Sequence, residues 1–98
     1  MPAYNRAMPT IALVVTGRVQ GVGFRAFVCR IAESMDVHGE VCNSHNGTVE
    51  IVAQHEDSAV LERFRERMDL GPGRVDNVLG GFVDVPAEYE AFTATATR

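Results

Sequence analysis

The 98-residue chain carries nine arginines, no lysine and thirteen acids, for a net charge of −4. A chain of this length forms one domain and can bury a single core without disulfides or metal. Its apolar runs are too short to cross a membrane, and two cysteines, Cys29 and Cys42, set no disulfide framework.

The residues Met1–Pro9 lack the apolar stretch of a secretory signal. They read as a short flexible leader, or as a start placed upstream of a domain covering residues 10–98, with a reducing cytoplasm as the expected compartment. An apolar run, Ile11–Val15, predicts a buried first strand over Thr10–Thr16. Apolar positions 24, 27, 28, 31 and 35 share one helical face and predict a helix over Phe24–Met35. His38–Asn43 reads as a second strand, and Ser44-His45-Asn46-Gly47 as the turn of a hairpin. The third strand is expected over Thr48–Gln54, alternating and β-branched. Asp57 or Ser58 caps a second helix that turns Val60, Leu61, Phe64 and Met68 inward and Glu62, Arg63, Glu66 and Arg67 to solvent. Leu70-Gly71-Pro72-Gly73 ends it. A fourth strand is expected within Val75–Val85, with a bulge at Gly80-Gly81, and Ala91–Ala96 forms a short edge strand.

The order is β-α-β-β-α-β with a tail strand. That predicts an α+β fold, the ferredoxin-like split β-α-β sandwich (βαββαβ), an antiparallel sheet with two helices on one face. The crossover rule puts the third strand between the first two.

Between the first strand and the first helix lies Gly17-Arg18-Val19-Gln20-Gly21-Val22-Gly23-Phe24-Arg25. Glycine lets successive N–H groups turn towards one point, and a helix N-terminus adds unpaired donors. Arg25, in the first helical turn, adds a planar fork of donors suited to phosphate oxygens. This loop reads as an anion cradle; a plain glycine turn with a surface arginine is the other reading. Gly21-x-Gly23-x-x-Ala26 also satisfies a relaxed dinucleotide fingerprint, but a hairpin follows the helix where a second βα unit would be needed.

Arginine is unevenly placed. Residues 1–32 carry Arg6, Arg18, Arg25 and Arg30 and no acid, whereas all thirteen acids lie from Glu33 onward. The field at the loop favours a small anion, and the acidic remainder repels polyanions, which argues against nucleic acid. The first and third strands also lack the aromatics that stack RNA bases in similarly shaped domains.

Alternation puts Asn43 on the face of Val41, the helix-covered side, close to the loop. Spacing leaves two roles open: Asn43 closes the second strand, or it points at the anion. An amide there can orient a water with one donor and one acceptor. The remaining polar residues read as packing or surface. Cys29 flanks the core stripe, Cys42 is an inert strand thiol, and His38, His45 and His55 are surface histidines. No metal-ligand spacing links them, and no metal or cofactor is expected. Asn46-Gly47-Thr48 is a glycosylation sequon read here only as a turn.

The nine-residue string resembles the first signature of the acylphosphatase family, G-x-V-Q-G-V-G-F-R, at every fixed position. Gly39-Glu40-Val41-Cys42-Asn43-Ser44-His45-Asn46-Gly47-Thr48-Val49 resembles the second, G-[aromatic]-V-[basic]-N-x-x-x-G-x-V. Glu40 replaces the aromatic, Cys42 the basic residue, and His55 a later glycine. Alternation sends Glu40 and Cys42 to the open sheet face. The resemblance, from about residue 10 onward, implies hydrolysis of the carboxyl–phosphate bond of small acyl phosphates. It implies that Arg25 and the loop amides of Val19, Gln20, Gly21, Val22, Gly23 and Phe24 bind phosphate, and that Asn43 orients the water. Inorganic phosphate is then product and inhibitor, the protein a monomer, and neither membrane nor nucleic acid a partner. The other reading is a non-catalytic phosphate-binding module like the acylphosphatase-like domain of hydrogenase-maturation carbamoyl transferases.

Overall fold

A computed structural model describes residues 8–85 and 88–98; most of the expected leader lies outside them. Five strands and two helices follow in the order β1 (Thr10–Arg18), α1 (Phe24–Met35), β2 (His38–Asn43), β3 (Val49–Gln54), α2 (Ser58–Arg67), β4 (Arg74–Phe82) and β5 (Phe92–Ala94). They form one sheet in the order β4-β1-β3-β2-β5. Four strands pair antiparallel, while β5 adds parallel to β2 at the edge. The two crossovers and central hairpin are those of the expected split β-α-β fold, with β3 between β1 and β2.

Alternation divides the sheet. Ile11, Leu13 and Val15 of β1, Val41 of β2 and Val49, Ile51 and Ala53 of β3 point inward and are buried. They join Phe24, Val28 and Ala32 of α1 and Leu61 and Phe64 of α2 in one cluster. Both helices therefore cover the same face. Asp57 caps α2 through Oδ1, which accepts from the Ala59 N–H at 2.9 Å. The last turn tightens into a 3-10 turn, Met68–Leu70, so Met68 reaches the core from beyond the helix proper.

Three expectations about the strands need correction. The bulge lies elsewhere: Gly80 and Gly81 stay in register with Leu13 and Ala12, and the irregularity falls between Thr16 and Gly17, leaving Asp76 unopposed. Gly80 is required by a close approach instead. A Cβ there would sit 2.1 Å from the Ala12 carbonyl oxygen. Cys42 is on the Glu40 side of β2 but is not exposed, at 2%. Arg98 lies on that side, paired with Glu40 at 2.8 Å. His38 is half-buried, not on the surface, and its Nδ1 lies 3.0 Å from the Tyr89 carbonyl oxygen, which requires Nδ1–H as donor.

Candidate active site

The register brings the site together. Val15 of β1 pairs with Val49 of β3, and Val49 pairs with Asn43 of β2. These three residues form one row across the sheet and, by their shared parity with the buried Leu13, Ile51 and Val41, face the helices. The end of β1, the start of β3 and the end of β2 thus meet at one edge. The loop 19–23 leaves β1 there and turns back into α1.

Local chemistry shapes that loop. Val19 is buried and anchors its start. Gly21 and Gly23 have φ of 74° and 85°, and a Cβ on either would meet nothing within 4 Å. The glycines are there for conformation, not for room: a left-handed turn lets the chain reverse and brings its N–H groups to one side. Gly23 is also the N-cap of α1, without a side-chain cap, so no capping side chain covers the first N–H groups of the helix. Phe24 is buried and packs against Phe27, ring centroids 5.7 Å apart. That contact fixes the first helical turn and with it the root of Arg25.

Val19, Gly21, Gly23, Phe24, Arg25, Ala26 and Asn43 line one cavity of about 210 Å³. The structure therefore brings together Arg25, Asn43 and most of the residues expected from the sequence. Gln20 and Val22 do not line it. Val22 packs against the core, and the Gln20 carboxamide donates to the carbonyl oxygens of Ser44 and Thr48 at 2.7 and 2.9 Å. Arg25 is held by Nη1, which donates to the Thr95 carbonyl oxygen at 3.1 Å. The Asn43 Oδ1 is buried and has no hydrogen-bond partner among the described residues. A buried amide oxygen left unpaired costs about 1–3 kcal/mol, and such groups are uncommon. Asn43 shares its cavity with the Arg25 guanidinium.

Residues beyond Asn43 complete the frame. The Thr95 N–H donates to the Val41 carbonyl at 2.8 Å, the Arg98 N–H to the Asn43 carbonyl at 3.0 Å, and the His45 N–H to the Arg98 carbonyl at 2.8 Å. Residues 95–98 thus continue along β2 past Asn43. Sequence reasoning missed Thr95, because no periodicity signals a main-chain carbonyl that anchors an arginine 70 residues earlier. Cys29, one turn beyond Arg25, is pushed above the usual thiol range by burial and by Glu33, with Arg25 opposing. It is a packing thiol, as read from the sequence. Among the described residues, no group of three or more His, Cys, Asp or Glu is placed to hold a metal. No helix is long and apolar enough to cross a membrane.

Known proteins resemble this chain in sequence and in fold. An acylphosphatase from Lactobacillus gasseri is 43% identical over 74 residues, 72% of this chain and 80% of that protein. One from Lactococcus lactis is 52% identical over 54 residues, about half of either chain (55% and 56%). The crystal structure of acylphosphatase from Bacillus subtilis is similar with a TM-score of 0.84 and 31% identity, over 90% of this chain and 99% of that one. Full-length HypF, in its phosphate- and nucleotide-bound form, contains a similar segment. The TM-score is 0.80 at 29% identity, over 92% of this chain but 12% of that one. The family model for acylphosphatase matches residues 11–94: the chain belongs to the acylphosphatase family of enzymes.

Proposed function

We propose that this protein hydrolyses the carboxyl–phosphate bond of small acyl phosphates, with Arg25 and the loop amides as the phosphate site and Asn43 as the residue that aims the water. The observation that carries this reading is the convergence of Arg25, the loop and the unpartnered Asn43 Oδ1 on one cavity. The phosphoryl oxygens seat against the loop N–H groups at Val19, Gly21, Gly23 and Phe24 and the Arg25 guanidinium. Those donors meet the charge that develops on the equatorial oxygens. Asn43 Oδ1 accepts a hydrogen bond from a water and directs its lone pair at phosphorus. The new P–O bond forms as the P–O bond to the acyl group breaks, and the water's proton passes to a phosphoryl oxygen. The leaving group is a carboxylate with a pKa of about 4, so it departs without a general acid. Positioning and charge stabilisation suffice, which is why no nucleophile–base pair is needed.

The binding-module reading keeps the cradle without turnover, and the same assay separates the two. We take the protein to work as a monomer, with inorganic phosphate as product and inhibitor. Both cysteines are free, which suits a reducing cytoplasm. The test is benzoyl phosphate hydrolysis by the wild type and by Arg25→Ala. The wild type should turn over, and the variant should lose at least ~10²-fold in kcat/KM, as for a principal charge-stabilising donor. Near-normal turnover by the variant would end the assignment.

A further inference from the structure

We infer that the Gln20 side chain is a positioning residue: its carboxamide ties the phosphate loop to the strand ends that hold Asn43. The inference rests on the function proposed above. Gln20 sits within the loop, yet its side chain turns away from the cavity. Its Nε2 donates to the Ser44 carbonyl at 2.7 Å and to the Thr48 carbonyl at 2.9 Å. Those two carbonyls are not arbitrary. Ser44 follows Asn43, and Thr48 precedes Val49, the cross-strand partner of Asn43. The amide therefore spans the mouth of the hairpin immediately beyond the Asn43–Val49 pair.

The hairpin turn does not depend on this contact. The Thr48 carbonyl already accepts from the Ser44 N–H at 2.8 Å, and the Ser44 carbonyl from the Gly47 N–H at 3.1 Å. Asn46 Oδ1 further accepts from the Thr48 N–H and hydroxyl. Gln20 uses second lone pairs of carbonyls that are already bonded. Removing it leaves the turn closed and the carbonyls paired. What it severs is a tie between the loop and the hairpin. Arg25 and the loop amides lie on one side of that tie, and Asn43 on the other.

This division makes a separable prediction. Phosphate binding draws on the loop and Arg25, which stay together without Gln20. Attack by water depends on the distance between the seated phosphorus and Asn43, which this tie sets together with the bond from Arg25 to Thr95. A misplacement of about 1 Å can cost up to ~10²-fold in rate. Gln20→Met keeps an unbranched side chain of equal length and removes both donors. Gln20→Lys restores donors that can bridge both carbonyls.

The experiment measures kcat on benzoyl phosphate, the inhibition constant of inorganic phosphate and the melting temperature for wild type, Gln20→Met and Gln20→Lys. Gln20→Met should lose about tenfold or more in kcat, with phosphate inhibition within about threefold of wild type. Its melting temperature should stay close to that of the wild type, and Gln20→Lys should recover most of the kcat. An unchanged kcat in Gln20→Met overturns the inference alone, because the active wild type still supports the hydrolase reading. A joint fall of kcat, phosphate affinity and melting temperature, unrelieved by Gln20→Lys, also overturns it by making the role merely structural. An inactive wild type removes the hydrolase reading, and the inference with it.

Discussion

Replacing Asn43 by alanine should separate activity from stability. The side chain lines the cavity, and its Oδ1 is buried without a partner. Among the described residues nothing in the fold bonds to that oxygen, so its removal breaks no hydrogen bond within the protein. The main-chain contributions of Asn43, its pairing with Val49 and its carbonyl bond to Arg98, survive the change. The melting temperature should hold. A change of about 1 kcal/mol in a domain this small would move it by roughly 4–8 °C. The reaction loses the acceptor and donor that orient the water. Two such bonds at about 1–1.5 kcal/mol each amount to ~3 kcal/mol, or about 10²-fold in kcat. Thermal melts in the presence and absence of inorganic phosphate, run beside benzoyl phosphate kinetics, read both effects. Phosphate should still raise the melting temperature of Asn43→Ala, because the ligand's stabilising effect depends on binding and not on turnover. A clear drop in melting temperature together with loss of phosphate stabilisation would show that Asn43 is a structural residue, and the reasoning would fail.

Phe64 is fully buried and pairs with Phe92, centroids 6.2 Å apart; Phe64→Ala should cost about 3–5 kcal/mol in urea unfolding, and a loss under about 1 kcal/mol would contradict the packing described. Arg65 reaches from α2 to the Gly80 and Val78 carbonyls of the edge strand β4, the latter at 3.0 Å. Arg65→Ala should cost about 1 kcal/mol and expose that edge; light scattering on warming should show faster self-association than in the wild type, and equal rates would refute the role. The Cys29 thiol is raised by burial and by Glu33, so at a given pH it holds less thiolate than a free cysteine. Its alkylation by iodoacetamide at mildly alkaline pH should be slower than that of a small thiol, and equal rates would contradict its environment.

Which parts of this molecule could be read from residues alone follows from the range of the interactions. The apolar run Ile11–Val15, the alternation of Val49–Ala53, the 3.6-residue stripe of α1 and the Asn46-Gly47 turn are local, and each element appeared where its pattern placed it. The loop was legible because glycine and arginine carry a backbone and a charge argument on their own. Asn43 was legible as to its face, through parity with Val41, but spacing alone left its role open. What stayed hidden depends on distant chain. The parallel addition of β5 and the run of residues 95–98 past Asn43 bring Thr95 to Arg25 and Arg98 over the Glu40 side. Neither the anchor of Arg25 nor the burial of Cys42 leaves a periodic trace. Gly80 misled for a related reason, since a glycine that admits a neighbouring carbonyl looks in sequence like one that marks a bulge. Gln20 was legible as a loop amide, whereas its side-chain bonds span 24 and 28 residues and no local pattern encodes them.

Amide chemical shifts during a titration with inorganic phosphate test most directly whether the loop, Arg25 and Asn43 form one phosphoryl site. The N–H groups of residues 19–24 should move together with the Asn43 side-chain amide, along a single saturating curve. In Arg25→Ala those shifts should weaken sharply at the same phosphate concentrations. Shifts that fall elsewhere on the molecule, or that persist unchanged without the guanidinium, would contradict the site.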